Sequence, residues 1–379
     1  MDNSFSTGVP RPTWAEIDLR ALTSNFQKVQ EHVGIGTRII AVIKANAYGH
    51  GAKEIACQLK ELRAPHLAVA ILEEALELRS AGIELPILLL NGYWPGQEEE
   101  VVRHGLTPAV VDLERVKALG RVAERMQKKA YYHLKINTGM SRLGVDWEQV
   151  KFLMELSLQS SWVHCQGILT HLSSADEMES PETSRQLERF NKVVQDLRSR
   201  GIRQGWIHAA NSAAVLRWPA SWYDAVRPGL ILYGVNPFNQ GPIPLQPLLS
   251  LKTRLMNLRP IKKGTSVGYG CSYTALRDSV IGALPIGYAD GYNRLLSNRA
   301  SVLLHGQRVP VVGRVSMDLT VIDVTDVPSA QLGDEVVLIG SQGSEQIRAN
   351  ELAELCHTIP YEILTGISQR VPRVFLKTQ

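Results

Sequence analysis

Between Arg38 and about Gly234 the chain repeats one pattern eight times, a short apolar run followed in most cases by a stretch with helical spacing. The runs are RIIAVI from Arg38, HLAVAIL from His66, PILLLN from Pro86, LTPAVV from Leu106, YYHLKIN from Tyr131, VHCQGILTH from Val163, WIHAAN from Trp206 and YDAVR from Tyr223. Near-continuous apolar runs of this length read as strands buried on both faces, as in parallel sheets. Among the intervening segments, Ile55, Leu59 and Leu62 form one helical stripe, and Leu76, Leu78 and Ala81 suggest another. Eight such units over roughly 200 residues favour a closed (β/α)8 barrel over an open doubly wound sheet.

After Tyr233 the pattern changes. The proline-rich stretch Asn236–Pro247 has no periodicity and reads as a linker. Beyond it LLSLKTRLMNL, SVIGALPIGYA, ASVLLHGQRVPVVG, DLTVIDV and DEVVLIG are separated by turn signals at Gly306 and Gly333. We expect a barrel domain over residues 12–240 and a mainly antiparallel β domain over 248–379, with the short segment 1–20 packing on the latter. A length of 379 residues suits two domains.

Composition removes several function classes. The net charge of +4 is small and dispersed, which gives no footprint for nucleic acid. Four scattered cysteines without a C-x-x-C pair indicate neither a metal site nor a disulfide framework. The N-terminus has no basic region followed by an apolar one, and no apolar run is long enough to span a bilayer. The expectation is a soluble, cytoplasmic protein with reduced thiols.

In a barrel, polar residues just after each strand gather on one face. Here Lys44 and Tyr48 follow the first run, Lys135 to Arg142 (KINTGMSR) the fifth, His171 the sixth, Asn211 and Ser212 the seventh, and Arg227 to Leu230 the eighth. Taken singly, Lys44 is a surface lysine, His171 a core histidine, and Arg142 or Arg227 an ion-pair partner. Together they point to chemistry. Burial at a strand end lowers a lysine's pKa toward the range of a nucleophile or base. The loops after strands seven and eight supply the Ser212 hydroxyl and the Gly229 and Leu230 amides, a phosphate-cradling set in barrels. Neither a G-x-x-x-x-G-K-[ST] loop nor a dinucleotide glycine fingerprint is present.

The strings AVIKANAYGHG, KINTGMSRLG, GILTHLSSADE, HAANSAA, VRPGLILYG, SVGYGCSYTA, LPIGYADGY, VVGRVSMD and RVPR, in this order, closely resemble the alanine racemase family. The resemblance implies a pyridoxal 5'-phosphate-dependent isomerase that interconverts L- and D-alanine by two-base proton transfer at Cα. By the same resemblance Lys44 carries the cofactor and is the base on one face, and Tyr273 is the base on the other. Arg227 faces the pyridine nitrogen, and His171 and His208 orient that group, with His171 linked to Tyr273. Tyr48, Ser212, Gly229 and Leu230 hold the phosphate, while Arg142 and Met317 contact substrate. Lys135 supports Arg142, as a carbamate in many relatives, and Tyr292 and Arg314 belong to the substrate access path.

The resemblance further implies a homodimer with composite sites and a role in D-alanine supply for peptidoglycan precursors or in D-alanine breakdown. No metal is implied. A serine-accepting racemase and a non-catalytic cofactor-binding barrel are the alternatives, and basic amino-acid decarboxylases share the architecture. Two positions depart from the common pattern. Asn137 stands where many members have aspartate, which removes a negative charge near Lys135 and Arg142. Gln369 stands where several have tyrosine, which leaves a shorter amide without a ring to pack.

Overall fold

The computed structural model describes residues 11–157, 160–202, 205–238 and 241–377. The ends of the expected linker are among these, but residues 239 and 240 within it, and residues 1–10 of the N-terminal segment, lie outside them. The chain divides into two compact units. One is Ala21–Gln246, and the other combines the segment up to Arg20 with the chain from Pro247 onward.

The first unit is the barrel. Its parallel strands are Arg38–Val42, His66–Val69, Ile87–Leu89, Thr107–Val110, Ala130–Asn137, Val163–Leu169, Trp206–His208 and Ala225–Val226, numbered one to eight below. Strand eight pairs with strand one, and each later strand pairs with the next as far as strand seven. Between strands seven and eight no ladder forms. The gap is bridged by the Asp224 N–H to Ile207 O and Arg227 N–H to Ala210 O bonds, both 3.0 Å. Ile39, Ile40, Leu67, Ile87, Leu88 and Leu134 are fully buried, each stabilising the fold by about 1.5–3 kcal/mol. Helices such as Ala52–Glu61, Leu72–Ser80, Leu113–Arg125 and Glu182–Ser199 separate the strands. In Leu72–Ser80 the buried face is Leu72, Ala75 and Leu78 rather than the expected Leu76, Leu78 and Ala81. The true stripe begins one turn earlier, because the helix starts right after Ile71.

The second unit is built around Leu249–Arg254. That strand pairs antiparallel with Thr13–Asp18 on one side and with Glu335–Gln342 on the other. Thr13–Asp18 also pairs in parallel with Arg373–Leu376. Ser301–Leu304 and Gln307–Pro310 form a hairpin whose two loop residues, His305 and Gly306, both have positive φ, as a tight two-residue turn requires. A three-stranded sheet of Asn257–Ile261, Ser279–Leu284 and Thr320–Asp323 and a small ladder of Ser266–Val267 with Tyr273–Thr274 complete the β structure. Two short helices, Ala349–Leu355 and Pro360–Thr365, were not apparent from the residue pattern.

Asp290 anchors this unit. It is fully buried and takes both terminal nitrogens of Arg11 at 2.7 Å, with the Gly287 N–H at 3.0 Å and Arg370 at 3.3 Å. Burial alone works to raise its pKa, yet the Arg11 and Gly287 hydrogen bonds prevail and hold it below the usual carboxylate range. A depressed folded pKa means that its stabilisation is complete above the unfolded value, about 3.9, and disappears as pH falls through the folded one. Asp290→Asn is expected to cost about 2–3 kcal/mol at neutral pH, measured by denaturant unfolding. The difference from the parent should vanish at strongly acidic pH, and a constant difference would contradict the ionic origin.

Candidate active site

At the end of strand one the backbone does something unusual for residues with side chains. Ala45, Asn46, Ala47 and Tyr48 all lie in the left-handed region, with φ of 51–54°, before Gly49 at 82°. A left-handed turn costs about 1–2 kcal/mol for each non-glycine residue, and strain of this kind clusters at functional sites. The turn carries its own ladder, with Ala47 N–H to Ile43 O and Gly49 N–H to Ala45 O at 2.9 Å. The Asn46 Oδ1 accepts the Ala52 N–H at 2.7 Å as the next helix begins. Tyr48 is thereby folded back against Tyr233, rings 4.9 Å apart, and the His50 ring stacks on Tyr233 at 4.5 Å. Lys44, just before the turn, is half-buried. Burial, and then the charge of Arg142, lowers its pKa, against an opposing pull from Glu74.

Arg227, leaving strand eight, is 3% exposed, and no carboxylate among the described residues pairs with it. Its Nη1 donates to His208 Nδ1 at 2.8 Å and to His208 O at 3.0 Å. Its Nη2 donates to Thr170 O at 2.7 Å and Ala209 O at 2.9 Å, with His171 Nδ1 at 3.5 Å. Burial pushes the guanidinium down to about 9, so it is still charged at neutral pH. An arginine can only donate. His208 therefore presents a lone pair at Nδ1, keeps its proton on Nε2, and donates to His133 Nδ1 at 2.8 Å. Burial and the Arg227 charge hold His171 and His208 well below the ordinary histidine range. His133 falls to about 3, with burial the leading cause. All three rings are neutral at physiological pH. His133 was missed from sequence, although alternation along YYHLKIN puts it on the same side of strand five as Lys135.

Lys135 is 6% exposed and donates to Leu90 O at 3.1 Å. Burial, then Arg227, Arg142 and Lys44, lower it to about 8. It lines a small cleft with Thr138, Met140, Arg142 and His171. The loop after strand five is shaped by Thr138, whose hydroxyl meets that of Thr170 at 2.7 Å and whose carbonyl accepts from Arg189 at 2.8 Å. Only glycine fits at 144, where a Cβ would lie 2.6 Å from the Asn137 nitrogen. The side chain of Asn137 is engaged within this loop. Its Nδ2 donates to Asp146 at 3.0 Å, and its Oδ1 accepts the Gly139 and Ser141 N–H groups at 3.2 and 2.9 Å. The amide at 137 thus donates to the Asp146 carboxylate, which an aspartate at 137 would repel.

Tyr48, Ser212 and Gly229 converge. The Gly229 N–H donates to Ser212 Oγ at 2.9 Å. A Cβ at 229 would stand 2.3 Å from Tyr48 Oη. Ser212 opens the helix Ser212–Arg217, capped by Asn211, and Leu230 opens the short helix Leu230–Tyr233.

The remaining expected residues stand in the β unit. Tyr273 packs beside Ile261, Val267 and Ala275, and its hydroxyl donates to Asp323 at 3.3 Å. Burial, then the Asp323 carboxylate, raises its pKa. Arg314 lies against the turn before it, since a Cβ at Gly270 would meet the guanidinium at 2.9 Å. Met317 and Gln369 are exposed. Tyr292 is buried, and its hydroxyl has no partner among the described residues.

The chain matches the alanine racemase N-terminal domain over residues 17–237 and the alanine racemase C-terminal domain over 248–375. An alanine racemase of Halothermothrix orenii is 43% identical over 370 residues, 97% of each chain. One of Symbiobacterium thermophilum is 45% identical over 96% of this chain and 97% of its own. Among solved structures, the Bacillus anthracis alanine racemase with bound L-Ala-P has a TM-score of 0.90 at 36% identity, covering 98% of this chain and 96% of that one. The Bartonella henselae enzyme with covalently bound pyridoxal phosphate has a TM-score of 0.88 at 32% identity, covering 97% and 100%. With both domain matches, near full-length identity and the strand-end constellation in agreement, the chain belongs to the alanine racemase family.

Proposed function

We propose that this protein interconverts L- and D-alanine with pyridoxal 5'-phosphate bound in the barrel unit, and with Lys44 and Tyr273 as the two bases. The observation that carries the reading is the strand-end cluster: a lysine of lowered pKa, a buried arginine flanked by neutral histidines, and a small glycine-lined cradle. This cluster fits the cofactor. Lys44 supplies the attaching amine, and Tyr48, Ser212, Gly229 and Leu230 form a cradle that a single Cβ at 229 would fill. Both terminal nitrogens of Arg227 are committed to the protein, which leaves its Nε–H as the donor for a ring nitrogen. When bound, the cofactor withdraws electrons from the amino acid and makes its Cα proton labile.

The protein's residues direct where that proton goes. Lys44 accepts it on one face, and Tyr273 returns one on the other. Arg227 holds the ring nitrogen without surrendering its own proton, so charge stays near Cα and inversion is favoured over transamination. Arg142 is suited to a carboxylate through bidentate hydrogen bonds. Neither a broader-specificity, serine-accepting racemase nor a non-catalytic carrier is favoured, given alanine racemases at 41–45% identity over 96–97% of the chain. We further read the active form as a cytoplasmic homodimer in which Tyr273 and Met317 serve the partner's site. Support comes from Tyr269, Leu276 and Met317, which are 72, 82 and 53% exposed around the Tyr273 ladder, apolar surface that a second copy would cover. Among the described residues no helix is long and apolar enough to cross a membrane, and the four cysteines are free.

Incubation with L-alanine in deuterium oxide should give D-alanine carrying deuterium at Cα. Lys44→Ala and Tyr273→Phe should each lose this, and mixing the two inactive variants under exchanging conditions should restore activity through hybrid dimers. Inversion surviving in either variant would overturn the two-base assignment, and no recovery on mixing would overturn the shared site.

Lys135 is suited to carbamylation, because at about 8 it has a neutral amine fraction near physiological pH. The amine adds carbon dioxide with loss of one proton, which places a carboxylate among Arg142, Arg227 and Lys44. The neutral form grows as pH rises through that value, so carbamate occupancy should rise likewise. A carbon-13 carbamate signal from labelled bicarbonate, absent in Lys135→Ala, checks this; the same signal in both proteins would contradict it.

A further inference from the structure

Resting on the reading of Lys44 as the cofactor-bearing residue, we infer that Glu74 is a positioning residue whose carboxylate clamps the left-handed turn and thereby aims Lys44. Glu74 lies in the first turn of the helix after strand two, 29 positions beyond Ala45. One of its oxygens accepts the Ala45 N–H at 2.6 Å. The other accepts the Ala70 N–H at 2.7 Å and reaches the Ile71 N–H at 3.4 Å. A single carboxylate therefore joins the backbone just after Lys44 to the end of the neighbouring strand.

The position of that bond matters. Ala45 is the first of the four left-handed residues, and its N–H belongs to the peptide group that begins at the Lys44 carbonyl. The turn's own ladder uses the N–H groups of Ala47 and Gly49, with Ile43 and Ala45 as acceptors. The Asn46 side chain secures its far end at Ala52. Glu74 secures its near end and fixes the peptide plane from which the Lys44 side chain departs. Charge-assisted bonds of this kind are about twice as strong as neutral ones, as expected for a contact that holds strained backbone. The charges acting on Lys44 are Arg142, which lowers its pKa, and Glu74 itself, which opposes that, while His171 is neutral.

The test compares Glu74→Ala, Glu74→Gln and Glu74→Ala with Ala45→Gly, each checked for folding by thermal melting. Glu74→Ala should lower kcat by about 10-fold while KM for alanine stays within about twofold, because Glu74 does not touch substrate. Ala45→Gly in that background should recover at least about threefold of the loss, since glycine adopts positive φ without a Cβ penalty. Glu74→Gln keeps one acceptor oxygen and should fall between parent and alanine variant. It serves as the test if the alanine variant does not fold. An unchanged kcat in a folded Glu74 variant, or a loss that Ala45→Gly does not relieve, would overturn the clamp. Lys44→Ala separates the two readings: cofactor attachment surviving there refutes the Lys44 assignment itself, whereas its loss beside a fully active Glu74→Ala refutes only the clamp.

Discussion

The buried guanidinium of Arg227 is the fixed point of the barrel unit. A charge at 3% exposure is costly unless its donors are met. Here the acceptors are backbone carbonyls at the ends of strands six and seven, Thr170, His208 and Ala209, together with the His208 ring. The same residue's N–H bridges the gap where strands seven and eight form no ladder. Closure of the barrel and placement of the charge are thus one arrangement. Because no carboxylate among the described residues neutralises Arg227, its field reaches His171, His208 and Lys135 and disfavours a further positive charge on each.

That field sorts the polar groups into roles. The histidines become neutral hydrogen-bonding parts with a tautomer dictated by a donor-only neighbour. The two lysines remain basic, but less so than in water. Lys44 stands at a strained turn, accessible and aimed, while Lys135 is held inside against Leu90. Strain at the turn and the unneutralised arginine both cost stability, and the apolar strands around them supply it.

Much of this was legible in the residues. The eight barrel strands declare themselves because buried parallel strands are continuous apolar runs, and the strand-end polar residues follow from their positions. Other features depended on distant partners. Thr13–Asp18 pairs with residues more than 230 positions away, so its alternation alone could not assign it to a sheet. The bond from Ala45 to Glu74 exists only once strands one and two are adjacent. The bond from Asn137 to Asp146 likewise joins residues nine positions apart and exists only once the loop has folded. The left-handed turn is hidden in the sequence because its four residues, Ala45 to Tyr48, are not glycines. In Leu72–Ser80 the apolar residues Leu72, Ala75, Leu76 and Leu78 fit more than one stripe, and only packing selects Leu72, Ala75 and Leu78.

The most direct test of the Arg227-centred account is the protonation state of His208, followed by nitrogen-15 NMR of the histidine rings across neutral pH. The account predicts a ring that stays neutral, protonated at Nε2 and bare at Nδ1, with no titration near the ordinary value of about 6.5. A His208 ring that gains a proton in that range, or that carries its proton at Nδ1 facing Arg227, would contradict it.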